Sequence, residues 1–317
     1  MPEIPDLTVY IECLEKRIAG QPLIRARIKN PFLLRTHDPQ ATETEGKKVL
    51  GIRRIGKHVV LIMEHQLYLV FHLMIAGRFH WKPKEAKIPH RIGLAAFDFS
   101  DGTLVLTEAG TKRRASLHII RGEEALRKFD RGGIEVLETD LDSFSEALTM
   151  ENHTVKRALT DPRIISGIGN TYSDEILHRS RFSPFKYTSH LTGEEVGRLF
   201  SACRGILLEW TDIIRNKTGD GFPEKVTAFR EGMAVHGRYG FPCPVCGVLV
   251  QRIVYTENES NYCPGCQTGG KILADRALSR LLKGDWPSTL KELEEMQGKI
   301  NLRETPYLIK PCVREKG

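Results

Sequence analysis

Four cysteines occur as two Cys-x-x-Cys pairs, Cys243/Cys246 and Cys263/Cys266, with 16 residues between the pairs. That spacing matches a four-thiolate zinc site in which two tight knuckles face each other across a β-hairpin. A unit this small cannot bury enough apolar surface to hold together alone, so the metal would supply its folding energy. Four thiolates leave no open position for water, which makes the expected zinc structural. The competing reading, two disulfides in a secreted chain, conflicts with the three scattered cysteines Cys13, Cys203 and Cys312 and with the start of the chain. Met1-Pro2-Glu3-Ile4-Pro5-Asp6 has an acidic flank where a signal peptide carries basic residues and an apolar stretch. A reducing cytoplasmic setting is therefore expected, and no run of apolar residues is long enough to span a membrane.

The rest of the chain divides by texture. At 317 residues, about two domains are expected on a prior of roughly 150 residues each. Between Ile24 and Ile120 the pattern is β-like. Runs 59–63 and 67–71 flank the turn-prone Glu64-His65-Gln66, and 94–99 with 103–106 reads as a hairpin across Ser100-Asp101-Gly102. An amphipathic helix from Asp6 to Ala19 precedes them, carrying Leu7, Tyr10, Ile11 and Leu14 on one face. After the basic stretch 128–133 come helical segments at 143–148, 154–160, 171–179 and 193–214, then a loop beginning at Lys217. Beyond Gln267, residues 271–283 read as an amphipathic helix, and Thr289-Leu290-Lys291-Glu292 as a capping box that starts another. The fold class is α+β with several domains: 1–130, 131–235, a cysteine module at 236–268, and a helical extension at 269–317.

Lys and Arg outnumber Asp and Glu by 47 to 40, a net charge of +7 that suits a polyanionic partner. Three features offer chemistry. Removal of Met1 would leave Pro2 as a terminal secondary amine, basic enough to be a nucleophile and weak enough to be partly unprotonated at neutral pH. Glu3 and Asp6 place carboxylates beside it. The turn Ser166-Gly167-Ile168-Gly169-Asn170 opens the helix at 171, with N–H groups available to a phosphate, Lys156 nearby on the preceding helix, and Asp174 and Glu175 complementing the helix dipole. It is not a nucleotide P-loop, because no Lys-Ser or Lys-Thr follows the glycines. Finally, Arg238 and Arg252 in the cysteine module are positioned for phosphates.

Pro2-Glu3, Gly56-Lys57 before a strand, Gly167-Ile168-Gly169-Asn170-Thr171-Tyr172 with Asp174-Glu175 after it, and His236-Gly237-Arg238 leading to the double Cys-x-x-Cys occur in one order. In that order and spacing the chain resembles the formamidopyrimidine-DNA glycosylase and endonuclease VIII family over residues 1–267. The resemblance implies an N-terminal β-sandwich with flanking helices, a helix-two-turn-helix domain and a zinc finger, acting as a monomer on damaged double-stranded DNA held between the domains. It implies a bifunctional glycosylase and abasic-site lyase of base excision repair. In it Pro2 is the Schiff-base nucleophile, Glu3 the catalytic carboxylate and Lys57 the active-site lysine. Lys156, Asn170 and Arg238 are phosphate contacts, Met74 fills the gap left by a flipped nucleotide, Arg113 reaches the widowed base, and Cys243, Cys246, Cys263 and Cys266 hold one zinc ion.

The chain departs from the family pattern in several places. An Arg-Arg-Phe sequence usual after the sheet hairpin reads Arg113-Arg114-Ala115, an Arg usual in the zinc hairpin is Asn258, and a second N-terminal Glu is Asp6. These changes bear on which base is removed more than on the iminium chemistry. Two other functions fit the same sequence: a damage-binding protein that has lost excision, and a zinc-ribbon protein that stacks single-stranded RNA on aromatic side chains.

Overall fold

The computed structural model describes residues 1–110, 112–224, 226–254 and 259–273, together with 287, 289, 291, 292 and 295. Asn258 and most of the helix expected at 271–283 lie outside them. Within the capping box expected at 289–292, the Glu292 N–H donates to Thr289 Oγ1 at 3.3 Å. The chain forms two compact units. One comprises residues 1–150, 159–169 and 203–228, and the other residues 151–158, 170–202 and 229 onward.

In the first unit, α1 (Ile4–Ile18) opens on the extended residue Glu3, whose N–H donates to Asp6 Oδ2 at 3.0 Å, so a carboxylate satisfies a group left over at the helix start. Helical spacing gives α1 two apolar faces. Leu7, Tyr10, Leu14 and Ile18 enter the main core, while Val9 and Cys13 pack on Ile214 of α6 (Gly193–Thr218).

Eight strands follow: β1 (Arg25–Ile28), β2 (Val49–Ile55), β3 (His58–Met63), β4 (Leu67–His72), β5 (Gly77–Lys82), β6 (Gly93–Asp98), β7 (Thr103–Glu108) and β8 (Ser116–Arg121). They form two antiparallel four-stranded sheets with orders β2-β3-β4-β8 and β1-β6-β7-β5. Alternate residues of both sheets meet in one core, where Phe71 of β4 stands edge-on to Phe79 of β5 and Phe97 of β6 at 5.3 Å. This is the expected β-sandwich.

The two runs read on either side of residues 64–66 are β3 and β4, paired from His58↔His72 to Met63↔Leu67. The hairpin read at 94–106 is β6 and β7. Other parts differ from expectation. Between β1 and β2 the chain makes two 3₁₀ turns, Pro31–Leu33 and Ala41–Thr44, because Pro31 and Pro39 cannot supply N–H groups to a ladder. The last helix of the helical region runs on through Thr218, so Lys217 belongs to α6 and not to a loop. A short helix, α2 (Glu123–Arg127), and α3 (Leu141–Thr149) complete the described helices before α4 (Val155–Thr160).

The second unit is organised by α5 (Asn170–Arg179), which is buried from Thr171 to His178. The hairpin of β9 (Gln251–Val254) and β10 (Glu259–Tyr262) and the single turn α7 (Pro264–Thr268) carry the cysteine module against it. Asp174 and Glu175 sit a turn inside α5, too far along to complement the dipole as expected. They act as buried brackets instead. Asp174 accepts from Asn261 N–H (3.1 Å), Ser260 Oγ (3.2 Å) and His236 (2.8 Å), and Glu175 accepts the N–H groups of Ala234, Val235 and His236 at 2.8 to 2.9 Å. Burial opposes charge on Asp174, yet Lys156 and His236 outweigh it and hold that carboxyl below the usual range. Burial pushes Glu175 up despite its three donors.

Candidate active site and metal centre

In the first unit the chain start, the β2–β3 turn and the Gly167–Gly169 turn converge. Ile55 pairs with His58, leaving Gly56 and Lys57 as a two-residue turn in which Gly56 takes φ +56 at no steric cost. Glu3 is buried, and its Oε2 accepts the Gly169 N–H at 2.7 Å. The approach is close enough to require glycine. A Cβ on residue 169 would lie 2.6 Å from the Glu3 carboxyl and 2.9 Å from Lys57 Nζ, and one on Gly167 would strike Ile4 and Arg54.

The sequence therefore places Glu3 and Lys57 at one point, with Pro2 buried beside them. Burial lowers the Lys57 ammonium, and the Glu3 carboxylate pulls it partly back. The chain-terminal amine of Met1 is also lowered, first by burial, with Glu3 and Asp6 opposing and Arg78 and Lys57 reinforcing the shift. An amine so placed is more often unprotonated at neutral pH than one in water, which is what nucleophilic attack needs.

Around this point the sheet β2-β3-β4-β8 turns one face of β3, β4 and β8 into a histidine layer. His58 and His72 are edge-on at 4.7 Å, and Phe129 packs on both His58 and His118. Burial is the main cause that lowers all three imidazoles, His72 to about 4. His72 Nδ1 accepts the Met74 N–H at 3.2 Å, which fixes it as the neutral form. Met74 itself is half-buried and held at φ +52, whereas the next residue, Ile75, is 65% exposed on the same loop. Arg113, on the loop after β7, donates to the Arg91 carbonyl.

In the second unit, Lys156 is committed inward. Its Nζ pairs with Asp174 and donates to Ser173 Oγ at 2.8 Å and to the Asn170 carbonyl at 3.1 Å. The Asn170 side chain donates to the Glu259 carbonyl. Arg238 donates to the Pro242 carbonyl at 3.1 Å and lies over Phe241, and Arg252 lies 4.4 Å over the Tyr239 ring. These cations are pre-ordered by neighbours.

The four paired cysteines come together as the spacing implied. Cys243 and Cys266 sulfurs are 3.8 Å apart and Cys246 and Cys263 sulfurs 3.3 Å apart. Thiolates at about 2.3 Å around one tetrahedral ion would stand about 3.8 Å from each other, so the donor set fits a metal ion. The sequence reading missed His178. Its Nε2 is 3.3 Å from Cys243 Sγ, and it joins Cys243, Cys263 and Cys266 in a cluster whose ligand atoms all lie within 4.8 Å. An imidazole N–H directed at a thiolate orients the ligand from behind. No spacing signal could reveal it, since His178 and Cys243 are 65 residues apart.

A sandwich that joins Glu3 of the chain start to Lys57 of the β2–β3 turn, and a helical unit carrying a cysteine cluster, define a class shared with known proteins. Residues 1–115 match the formamidopyrimidine-DNA glycosylase N-terminal domain and residues 134–218 its H2TH domain. The formamidopyrimidine-DNA glycosylase of Thermus thermophilus is 31% identical over 287 residues, covering 85% of this chain and all of that protein. An uncharacterized formamidopyrimidine-DNA glycosylase-like protein of Mycobacterium tuberculosis is 41% identical over 151 residues, 48% of this chain and 94% of that one. The crystal structure of the Lactococcus lactis enzyme in complex with a THF-DNA and an inhibitor superposes with a TM-score of 0.74 at 26% identity, covering 84% of this chain and 100% of that one. The chain belongs to the formamidopyrimidine-DNA glycosylase family. Among the described residues, no helix is long and apolar enough to cross a membrane.

Proposed function

We propose that this protein removes damaged bases from double-stranded DNA and then cleaves the abasic strand, using Pro2 as its nucleophile once Met1 is gone. The observation that carries the reading is the Glu3 carboxylate held by the Gly169 N–H beside Lys57, with Pro2 buried next to it. The nitrogen lone pair of Pro2 attacks C1′ of the damaged nucleotide. The glycosidic electron pair leaves with the base, which takes up a proton, and Glu3 protonates the ring oxygen as the sugar opens. The resulting iminium accepts the electrons released when a proton is lost from C2′. β-Elimination then expels the 3′ phosphate, and a second loss expels the 5′ phosphate. The Lys57 ammonium neutralises phosphate charge at that point.

C1′ is hidden in a duplex, so the nucleotide must leave the stack and an apolar side chain must fill the vacancy. Exposure favours Ile75 for that wedge over Met74, which is half-buried in a left-handed turn. Lys156, Asn170 and Arg238 serve the DNA backbone, the first two through the turn they brace. Zinc held by Cys243, Cys246, Cys263 and Cys266 fixes the hairpin against α5. The complexes of the Lactococcus lactis relative with THF-DNA and with DNA containing an abasic site support damaged DNA as the substrate.

The test is strand cleavage across duplexes carrying 8-oxoguanine, formamidopyrimidine, oxidised pyrimidines or a plain abasic site. The proposal expects a one-nucleotide gap with phosphates at both ends, at least at the abasic site. Tight binding without cleavage of any duplex would make the protein a damage binder instead.

A further inference from the structure

In the first unit, Phe32 is 78% exposed although it is a large aromatic residue on a rigid turn. It occupies the 3₁₀ turn Pro31–Leu33, whose first N–H groups are held by Asn30: the Phe32 N–H donates to Asn30 Oδ1 and the Leu33 N–H to the Asn30 carbonyl, each at 3.0 Å. Asn30 is itself tied to the Leu94 carbonyl at 3.0 Å, and Leu33 is buried in the sandwich core. The phenyl ring is thus presented from an anchored base.

Facing it is the loop that follows β7. Glu108, buried, accepts the N–H groups of Arg114 and Ala115 at 3.0 and 3.1 Å, which spends its charge on the backbone and fixes the loop. Phe32 and Arg113 then line one open cavity of about 260 Å³, floored by Leu33, Leu94 and Ala115. Ala115 is 4% exposed, so the floor offers no other aromatic group. Arg113 lies between Lys112 and Arg114 in the chain and donates to the Arg91 carbonyl, a concentration of positive charge that favours a polyanion. A phosphate alone would need the guanidinium but gain nothing from the phenyl ring. A nucleic-acid base uses both, because its flat face stacks on an aromatic ring or a guanidinium plane and its edge accepts hydrogen bonds.

We infer that Phe32 and Arg113 together form a seat for an unstacked base, the one opposite the extruded nucleotide in the damaged duplex. The inference rests on the proposed function, since extrusion is what leaves that base without a partner. Phe32 is a specificity-determining contact and touches no reacting atom.

The experiment measures affinity for two duplexes at one stated salt concentration. One carries an abasic site opposite cytosine, and the other an abasic site opposite a second abasic site. Phe32→Ala should weaken binding to the first about tenfold and leave the second unchanged, while Phe32→Trp should restore the first. Thermal melting of both variants should match the parent, because the ring is outside the core. An equal loss on both duplexes, or no loss on either, overturns the inference. Borohydride trapping of the parent protein on the same abasic duplex separates the two proposals. Trapping without a Phe32 effect removes only the base seat, whereas absence of trapping removes the lyase reading, and the affinity comparison still decides the contact.

Discussion

The smallest decisive feature is a missing methyl group. Gly169 has no side chain at a place where any Cβ would meet the Glu3 carboxyl at 2.6 Å and Lys57 Nζ at 2.9 Å. Both are ends of flexible side chains, so Gly169→Ala should move the carboxylate and the amine without unfolding the protein. The expected result is a melting temperature within a few degrees of the parent and a loss of about 100-fold in single-turnover base removal, the scale of effect that a misplacement of about 1 Å produces. A variant that turns over at the parental rate would show that this contact does not position Glu3. The residues themselves were legible from their order in the chain. The hydrogen bond between them was not, because Glu3 and Gly169 are 166 residues apart and only the folded sandwich joins them. The acids of α5 show the opposite failure. Asp174 and Glu175 matched a local rule about helix dipoles, and tertiary demands explain them better: Glu175 takes the N–H groups of 234–236, and Asp174 takes Ser260, Asn261, His236 and Lys156.

At the scale of elements, β3, β4, β6 and β7 could be read because continuous apolar runs ended at turn residues. β5 went unread although Gly77-Arg78-Phe79-His80-Trp81-Lys82 alternates polar and aromatic residues as a half-buried strand does, because it has no continuous apolar run; its pairing with β7 shows it. The same sheet chemistry has a measurable cost. His58, His72 and His118 lie in the layer formed by β3, β4 and β8, near Lys57, Arg35, Arg131 and the terminal amine. Their folded pKa values lie below the ordinary imidazole value, so the unfolded chain binds more protons as pH falls through 6.5 toward 4. Stability is therefore fully present above the unfolded pKa and declines across that window. Between pH 7.5 and pH 5 the melting temperature should fall by about 5 °C, and His72→Asn, which keeps an acceptor for the Met74 N–H, should flatten the decline. An equally steep decline in that variant would place the proton uptake elsewhere.

The whole molecule joins two kinds of device. One unit holds the chain start beside Glu3 and Lys57 in a charged corner of a β-sandwich, and the other holds ordered cations and a cysteine cluster against a buried helix. The cysteines were visible from spacing alone, and the terminal Pro-Glu from its place in an ordered set of motifs. His178 behind Cys243 and the exposed Ile75 beside Met74 emerged only with the fold. What the account needs above all is a covalent bond from the Pro2 nitrogen to deoxyribose. Reducing the purified protein with borohydride on abasic duplex DNA, then digesting and sequencing the crosslinked peptide by mass spectrometry, measures that bond directly. A single adduct is expected on the N-terminal peptide, with Met1 absent and the sugar remnant on Pro2. An adduct on Lys57, or none on a protein that still cleaves the strand, would contradict it.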